Sequence, residues 1–265
     1  MPTRRTATVE FVRGSVRGSR RRARATLPSL FTLANMGCGF GAILVSIRGE
    51  HGVAAVLIGL SVLFDVVDGA VARKVGAVTP FGLQFDSLAD LVSFGLAPAL
   101  VAFTLFSEGR DEWDVLGWVA CFLWVACAAI RLARFNVTID PTADKRYFTG
   151  LPSPGAAGVV LASVFALGDQ MQGRDRLWVL LVMAVPALLM VSNVRYRSFR
   201  SLVSPRSGRP HGPITIAVLL VVAFACAPVV TGIVLAYGYQ LAPVLVPTLS
   251  PLARFLPAPI KEALT

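Results

Sequence analysis

The sequence is short of charge, of histidine and of cysteine, and each shortage removes a class of protein. Only 15% of its 265 residues are charged, against 55% that are hydrophobic. Spread over repeated long apolar runs, that balance excludes an ordinary soluble domain and indicates a polytopic membrane protein. The two histidines, His51 and His211, fall in loops, and the four cysteines, Cys38, Cys121, Cys127 and Cys226, fall within apolar runs. No cysteine pair has metal-ligand spacing with a histidine nearby, so structural zinc is excluded and the cysteines are expected to be small buried hydrophobes. No internal repeat of useful length is visible. No cleavable signal peptide is evident either, since the first apolar run starts near Leu27 and is long enough to span.

Acids are scarcer than bases, giving a formal charge of +10, but the distribution of that charge argues against nucleic acid. Eight arginines precede residue 25 in a stretch rich in Ser, Gly and Thr, with Glu10 as its single acid. Such a segment cannot bury a core and is expected to be disordered. It reads as a topology determinant held to anionic head groups, each basic residue contributing on the order of 1 kcal/mol.

The expected fold is all-α, a polytopic membrane helix bundle. Apolar runs fall at about 27–47, 52–72, 82–106, 115–135, 152–168, 177–194, 213–236 and 241–257. This gives a basic tail (1–26), a six-helix membrane core (27–200) and about two C-terminal spans (201–265). Pro228, Pro243, Pro247 and Pro251 interrupt the last pair, and a seven-span or re-entrant end is the alternative to eight spans. With the tail inside, the positive-inside rule is obeyed throughout. Arg73, Lys74 and the loop 193–212, with Arg195, Arg197, Arg200, Arg206 and Arg209, fall in the cytoplasm. The loop 107–114, with Glu108, Asp111, Glu112 and Asp114, falls outside. Trp113, Trp118, Trp124 and Trp178 suit interface or packing positions. Gly37-x-Gly39-x-Gly41 lies inside a span, where small residues let helices approach, and Gly14-x-x-x-Gly18 lies in the tail; neither is a phosphate loop.

Against this background four acids stand out. Asp65-x-x-Asp68-Gly69-x-x-Ala72-Arg73 ends the second run, and after eight residues Gly82-x-x-x-Asp86-x-x-x-Asp90 opens the third. Spacings of three, four and seven keep side chains on one helical face, so each pair lines one stripe. An Asp at mid-membrane costs roughly 2.5–3.5 kcal/mol, and four together could not all stay ionised without cations. Arg73 alone would not balance them; two divalent metals would. Thr79-Pro80 has the form of an N-cap with proline at the first helical position. Gly69 and Gly82 leave room for backbone or ligand, and Ala72 keeps the cleft shallow. Hard cations such as Mg²⁺ or Mn²⁺ suit carboxylates and bridge them to phosphates. The residues therefore point to metal-assisted phosphoryl chemistry on a lipid, without naming the lipid.

The complete eight-position pattern resembles the signature of the CDP-alcohol phosphatidyltransferases. Further stretches resemble its bacterial phosphatidylserine synthase branch. They are Leu27-Pro-Ser-Leu-Phe-Thr-Leu-Ala-Asn35-Met-Gly-Cys-Gly-Phe40, Asp86-Ser-Leu-Ala-Asp-Leu-Val-Ser-Phe-Gly-Leu-Ala-Pro98, Arg131-Leu-Ala-Arg134-Phe-Asn136, Phe148-Thr-Gly-Leu-Pro-Ser-Pro154 and Val191-Ser-Asn-Val-Arg-Tyr-Arg-Ser-Phe199. The similarity covers roughly residues 27–200. It implies that Asp65, Asp68, Asp86 and Asp90 bind two divalent cations, Mg²⁺ or Mn²⁺, with Asp90 also the proton acceptor. It implies that Gly69, Arg73 and Thr79 hold the CDP part of CDP-diacylglycerol. It further implies L-serine as acceptor and a homodimer; the charge asymmetry, for its part, turns the site to the cytoplasmic face of what is expected to be the plasma membrane.

Asn35 is expected either to face the nucleotide or to serve interhelical hydrogen bonding. Arg131 or Arg134 is expected to bind the serine carboxylate or a lipid phosphate, the alternative being snorkelling positive-inside anchors. Acceptors such as glycerol 3-phosphate or an inositol phosphate would call for a denser Arg cluster. A cation-coupled transporter would place its acids nearer the midplane, on a related pair of broken helices.

Overall fold

In a computed structural model the structure describes residues 30–75, 79–106, 113–137, 147–167, 176–197 and 226–249. The basic tail, most of the loops and the ends of the C-terminal region lie outside them. The apolar runs become helices, because within hydrocarbon a single segment can satisfy its own backbone only that way. α1 is Leu30–Ile47 and α2 is His51–Val75. α3 (Pro80–Asp90) passes through a π-helical stretch, Leu91–Leu96, into α4 (Ala97–Phe106), making one continuous span. α5 is Trp113–Val137, α6 Ser153–Leu167, α7 Arg176–Val191 and α8 Pro228–Leu249. α1, α2, α3–α4 and α5 are long and apolar enough to cross a membrane; α6, α7 and the apolar part of α8 are shorter. The six-helix core expected from the sequence is present.

In the C-terminal region the apolar runs expected at 213–236 and 241–257 are separated by 237–240, whereas α8 runs through those residues as a single helix. Tyr237-Gly238-Tyr239-Gln240 is a weak breaker, and an apolar environment penalises unpaired backbone more than Gly or Pro disfavours a helix. The rest of that expectation, at 213–225 and 250–257, lies outside the described residues.

The bundle packs an apolar core that also holds several polar side chains, and it exposes many large apolar ones, as a lipid solvent allows. Thr32, Asn35, Ser46, Ser61, Asp68 and Ser93 are buried, while Leu30, Phe40, Ile47, Val66, Phe122 and Ile130 are exposed. Helix contacts are made by small side chains, among them Ala42, Ala54, Ala97, Ala128, Ala156 and Ala157, all fully buried, so that dispersion contacts replace the missing hydrophobic drive. At Gly39 two helices approach closely: a Cβ there would stand 2.6 Å from the Cα of Ser93. α1 thereby lies directly on the π-helical stretch.

That π stretch follows Asp90 immediately, and Pro98 comes two residues after it. Pro98 has no N–H to offer the Phe94 carbonyl one α-turn earlier. The buried indole of Trp124, on α5, donates to that carbonyl at 3.1 Å. Two short antiparallel strands, β1 (Tyr147–Thr149) and β2 (Arg195–Arg197), pair Phe148 with Tyr196 and close the end of the bundle. Gly150 follows at φ +83°, where a Cβ would stand 2.3 Å from the Met190 carbonyl oxygen. Tyr196 is fully buried and its hydroxyl donates to the Gln240 carbonyl at 3.1 Å, tying β2 to α8. Burial pushes its phenol up to about 12, so it stays a donor at physiological pH.

Candidate metal centre

α2 brings Asp65 and Asp68 to its final turns, and α3 carries Asp86 and Asp90 beside them. α3 starts where the sequence says it should. Thr79 has extended backbone (φ −119°, ψ 152°), accepts the Gly82 N–H at 3.0 Å, and is followed by Pro80 at the first helical position. Asp86 then stands two turns into the helix, and Asp90 one turn further.

Carboxylate oxygens of Asp65, Asp86 and Asp90 all lie within 4.8 Å of one another. At such separations two carboxylates repel by about 3 kcal/mol or more, even at an effective dielectric of about 20. Asp68 is set apart from this trio. It is buried, one Oδ atom accepts a hydrogen bond from the Thr32 hydroxyl of α1, and the other is sealed from solvent without a hydrogen-bond partner. Three of the four acids singled out in the sequence are therefore brought together, and the fourth leans on a neighbouring helix. A buried carboxylate oxygen left unsatisfied costs several kcal/mol, beside three more carboxylates that repel. Hard divalent cations are the groups that answer both demands, so the residues fit such ions.

Asn35 is fully buried, and its side-chain N–H donates to Asp90 at 3.1 Å. Its own backbone carbonyl accepts the Ser93 hydroxyl at 2.9 Å. Asn35 thus touches the acid at the base of the site, and its amide oxygen is a second buried atom without a partner. Gly69 follows Asp68 on α2 and is half-buried. Arg73 falls in the last turn of α2, but its side chain lies outside the described residues, as does the backbone of 76–78.

The two arginines of α5 part company. Arg131 is half-buried, donates to the Ser153 hydroxyl at 2.6 Å, and its charge acts on Asp90 and Asp65. Arg134 is exposed and donates to the Asn193 side chain at 2.9 Å and the Val191 carbonyl at 3.4 Å, joining α5 to the end of α7. Asn136 exchanges hydrogen bonds with Ser87, at 2.9 and 3.3 Å, and so steadies α3 between its two acids.

Reading the sequence did not single out Thr32, Ser93 or Ser153. For Thr32 a signal existed: it stands three residues before Asn35, on the same helical face. For Ser153 there was none, because its partner is far along the chain.

Residues 25–189 match the profile of the family described as CDP-alcohol phosphatidyltransferase. The chain is 35% identical over 179 residues to a protein of Helicobacter pylori named CDP-diacylglycerol–serine O-phosphatidyltransferase, covering 66% of this chain and 73% of that one. It is 38% identical over 172 residues to an archaetidylserine synthase of Methanothermobacter thermautotrophicus, covering 64% and 69%. To a protein of Mycobacterium leprae with the first of those names it is 31% identical over 206 residues, covering 75% and 66%.

Proposed function

The chain belongs to the CDP-alcohol phosphatidyltransferase family, and on that footing we propose that it transfers a phosphatidyl group from CDP-diacylglycerol to L-serine. The products are phosphatidylserine, which stays in the membrane, and CMP. One observation carries the reading: three carboxylates within 4.8 Å, with a fourth buried beside them, at the ends of two apolar helices. The names borne by the relatives from Helicobacter and Mycobacterium support serine as the acceptor.

Asp65, Asp68, Asp86 and Asp90 would hold two divalent cations, Mg²⁺ or Mn²⁺. Bound there, the ions supply Lewis acidity towards a diphosphate and charge for the departing phosphate. Asp90 takes the proton of the serine hydroxyl, whose oxygen forms a bond to the phosphorus bearing the diacylglycerol. The bond from that phosphorus to the CMP oxygen breaks, and CMP carries the electron pair away. Asn35, through its N–H, fixes which Asp90 oxygen is left to accept the proton. Gly69, Arg73 and Thr79 are assigned to the CDP moiety, and Arg131 to the acceptor side. A homodimer in the plasma membrane, with the cleft facing the cytoplasm, completes the reading. The basic tail and the loops rich in arginine support that orientation.

The test is CMP release by the purified protein from CDP-diacylglycerol with a panel of acceptors: L-serine, glycerol 3-phosphate and inositol phosphate. Serine should dominate. Chelation should abolish turnover and Mg²⁺ or Mn²⁺ restore it, while Asp90→Asn should lose at least about 100-fold, the scale of a positioned general base. Full turnover after exhaustive chelation, or a preference for a phosphorylated acceptor, overturns the proposal.

A further inference from the structure

Hydroxyls inside a membrane helix ordinarily turn back on their own backbone, and several here do so. Ser46, Ser61, Thr104 and Ser163 each donate to a carbonyl three or four residues earlier in the same helix. Ser93 departs from that habit. Fully buried in the π-helical stretch, it gives its proton across the bundle to the Asn35 carbonyl of α1, at 2.9 Å. Gly39 makes the reach possible. It stands four residues after Asn35, where its own N–H addresses that carbonyl in an α-helical ladder. A Cβ on Gly39 would lie 2.5 Å from the Ser93 hydroxyl oxygen, so any larger residue would push the donor away.

Asn35 is thereby gripped twice by one span. Its carbonyl meets Ser93, and its side-chain N–H meets Asp90, three residues before Ser93 on the same span. Among the described residues the bond to Asp90 is the one hydrogen bond of that side chain, since the amide oxygen is sealed without a partner. The aim of the amide therefore follows from where the Asn35 backbone is held. We propose that Ser93, seated at Gly39, is a positioning residue for the proton-transfer step. By fixing the Asn35 carbonyl it sets the amide on one Asp90 oxygen and leaves the other for the acceptor hydroxyl. The Ser93 hydroxyl acts through Asn35 alone. A poorly aimed base costs rate rather than affinity, so the effect belongs in kcat. The inference rests on the reading of Asp90 as the proton acceptor.

The purified full chain is assayed for CMP release at saturating Mg²⁺. CDP-diacylglycerol is varied first, then whichever of L-serine, glycerol 3-phosphate and inositol phosphate the wild-type protein uses best. Ser93→Ala should lower kcat about 3- to 10-fold, the worth of one neutral hydrogen bond, and leave both KM values unchanged. Ser93→Cys, nearly the same shape with a much weaker donor, should lose kcat in the same direction and carries the test if Ser93→Ala does not fold. A double-mutant cycle with Asn35→Ala separates positioning from packing. Ser93 works through the amide that Asn35→Ala removes, so in that background Ser93→Ala should lower kcat no further. Losses that multiply in the double variant overturn the inference, as does a change confined to either KM. Wild-type protein that releases CMP with no acceptor, or Asp90→Asn with full turnover, removes the functional reading and this inference together. An inactive Asp90→Asn beside an unaltered kcat in the Ser93 variants removes this inference alone.

Discussion

Thr32 and Asn35 stand one helical turn apart on α1, and each meets a different acid of the centre. Thr32 donates to Asp68 and Asn35 to Asp90. Partners of metal-binding carboxylates typically shift affinity or activity about 10- to 100-fold when removed. Thr32→Val keeps the shape and loses the donor. It should therefore raise the Mg²⁺ concentration needed for half-maximal activity by about 10-fold, read from a metal titration. Asn35→Ala should lower kcat by about 10- to 100-fold at saturating metal, with helical content by circular dichroism unchanged. An unaltered metal requirement in the first, or an unaltered kcat in the second, would deny these residues their positioning roles. The acids themselves were legible in the sequence because a carboxylate inside an apolar run is too costly to stand there without a partner or a ligand. Thr32 was not, since a hydroxyl in a membrane helix is ordinary and can bond its own backbone.

At the scale of elements, the span that carries Asp86 and Asp90 changes helical form directly after Asp90. Six residues of π-helix, Leu91–Leu96, turn Ser93 towards α1. Among the contacts that hold this segment are Gly39 of α1 against Ser93 and Trp124 of α5 on the Phe94 carbonyl. Trp124→Phe keeps an aromatic ring and removes the donor, leaving a buried carbonyl with one partner fewer. The expected loss is about 1–3 kcal/mol, seen as a lower melting temperature in detergent. Gly39→Ala should cost on the order of 1–3 kcal/mol by overpacking. Gly37→Ala, where nothing lies within 4 Å, should be close to neutral. Equal melting temperatures for the two glycine variants would show that the contact at Ser93 is not a tight one. Helix existence, and the start of α3 at Thr79-Pro80, could be read from composition and capping rules. The π stretch could not, because Gly95 and Pro98 signal a departure from α geometry without stating which.

At the scale of the molecule, the proposed orientation follows from arginine counts and reaches the site through the bundle. Asn193, exposed just after α7, belongs on the cytoplasmic side in that orientation. Asn193→Cys should resist a membrane-impermeant maleimide in intact cells and react in inverted vesicles, against the background of the wild-type cysteines. Labelling from outside intact cells would reverse the orientation. The C-terminal helix enters at this scale too. Tyr196 and Gln240 bind it to β2, Ser163 and Tyr237 share a 2.7 Å hydrogen bond between α6 and α8, and the Tyr239 ring packs against Gly155 of α6.

The sequence by itself determined that the fold is a helical bundle, and which acids stand in its apolar runs. Each of these is set by transfer free energies of individual residues and by helical spacing within one segment, and both are local quantities. Tertiary structure alone decided the rest. It drew three acids together and lodged the fourth against Thr32, distinguished Arg131 from Arg134, and ran α8 unbroken across 237–240. Those outcomes depend on which helices touch and where small residues let them close, and such contacts join positions tens of residues apart that no local pattern relates.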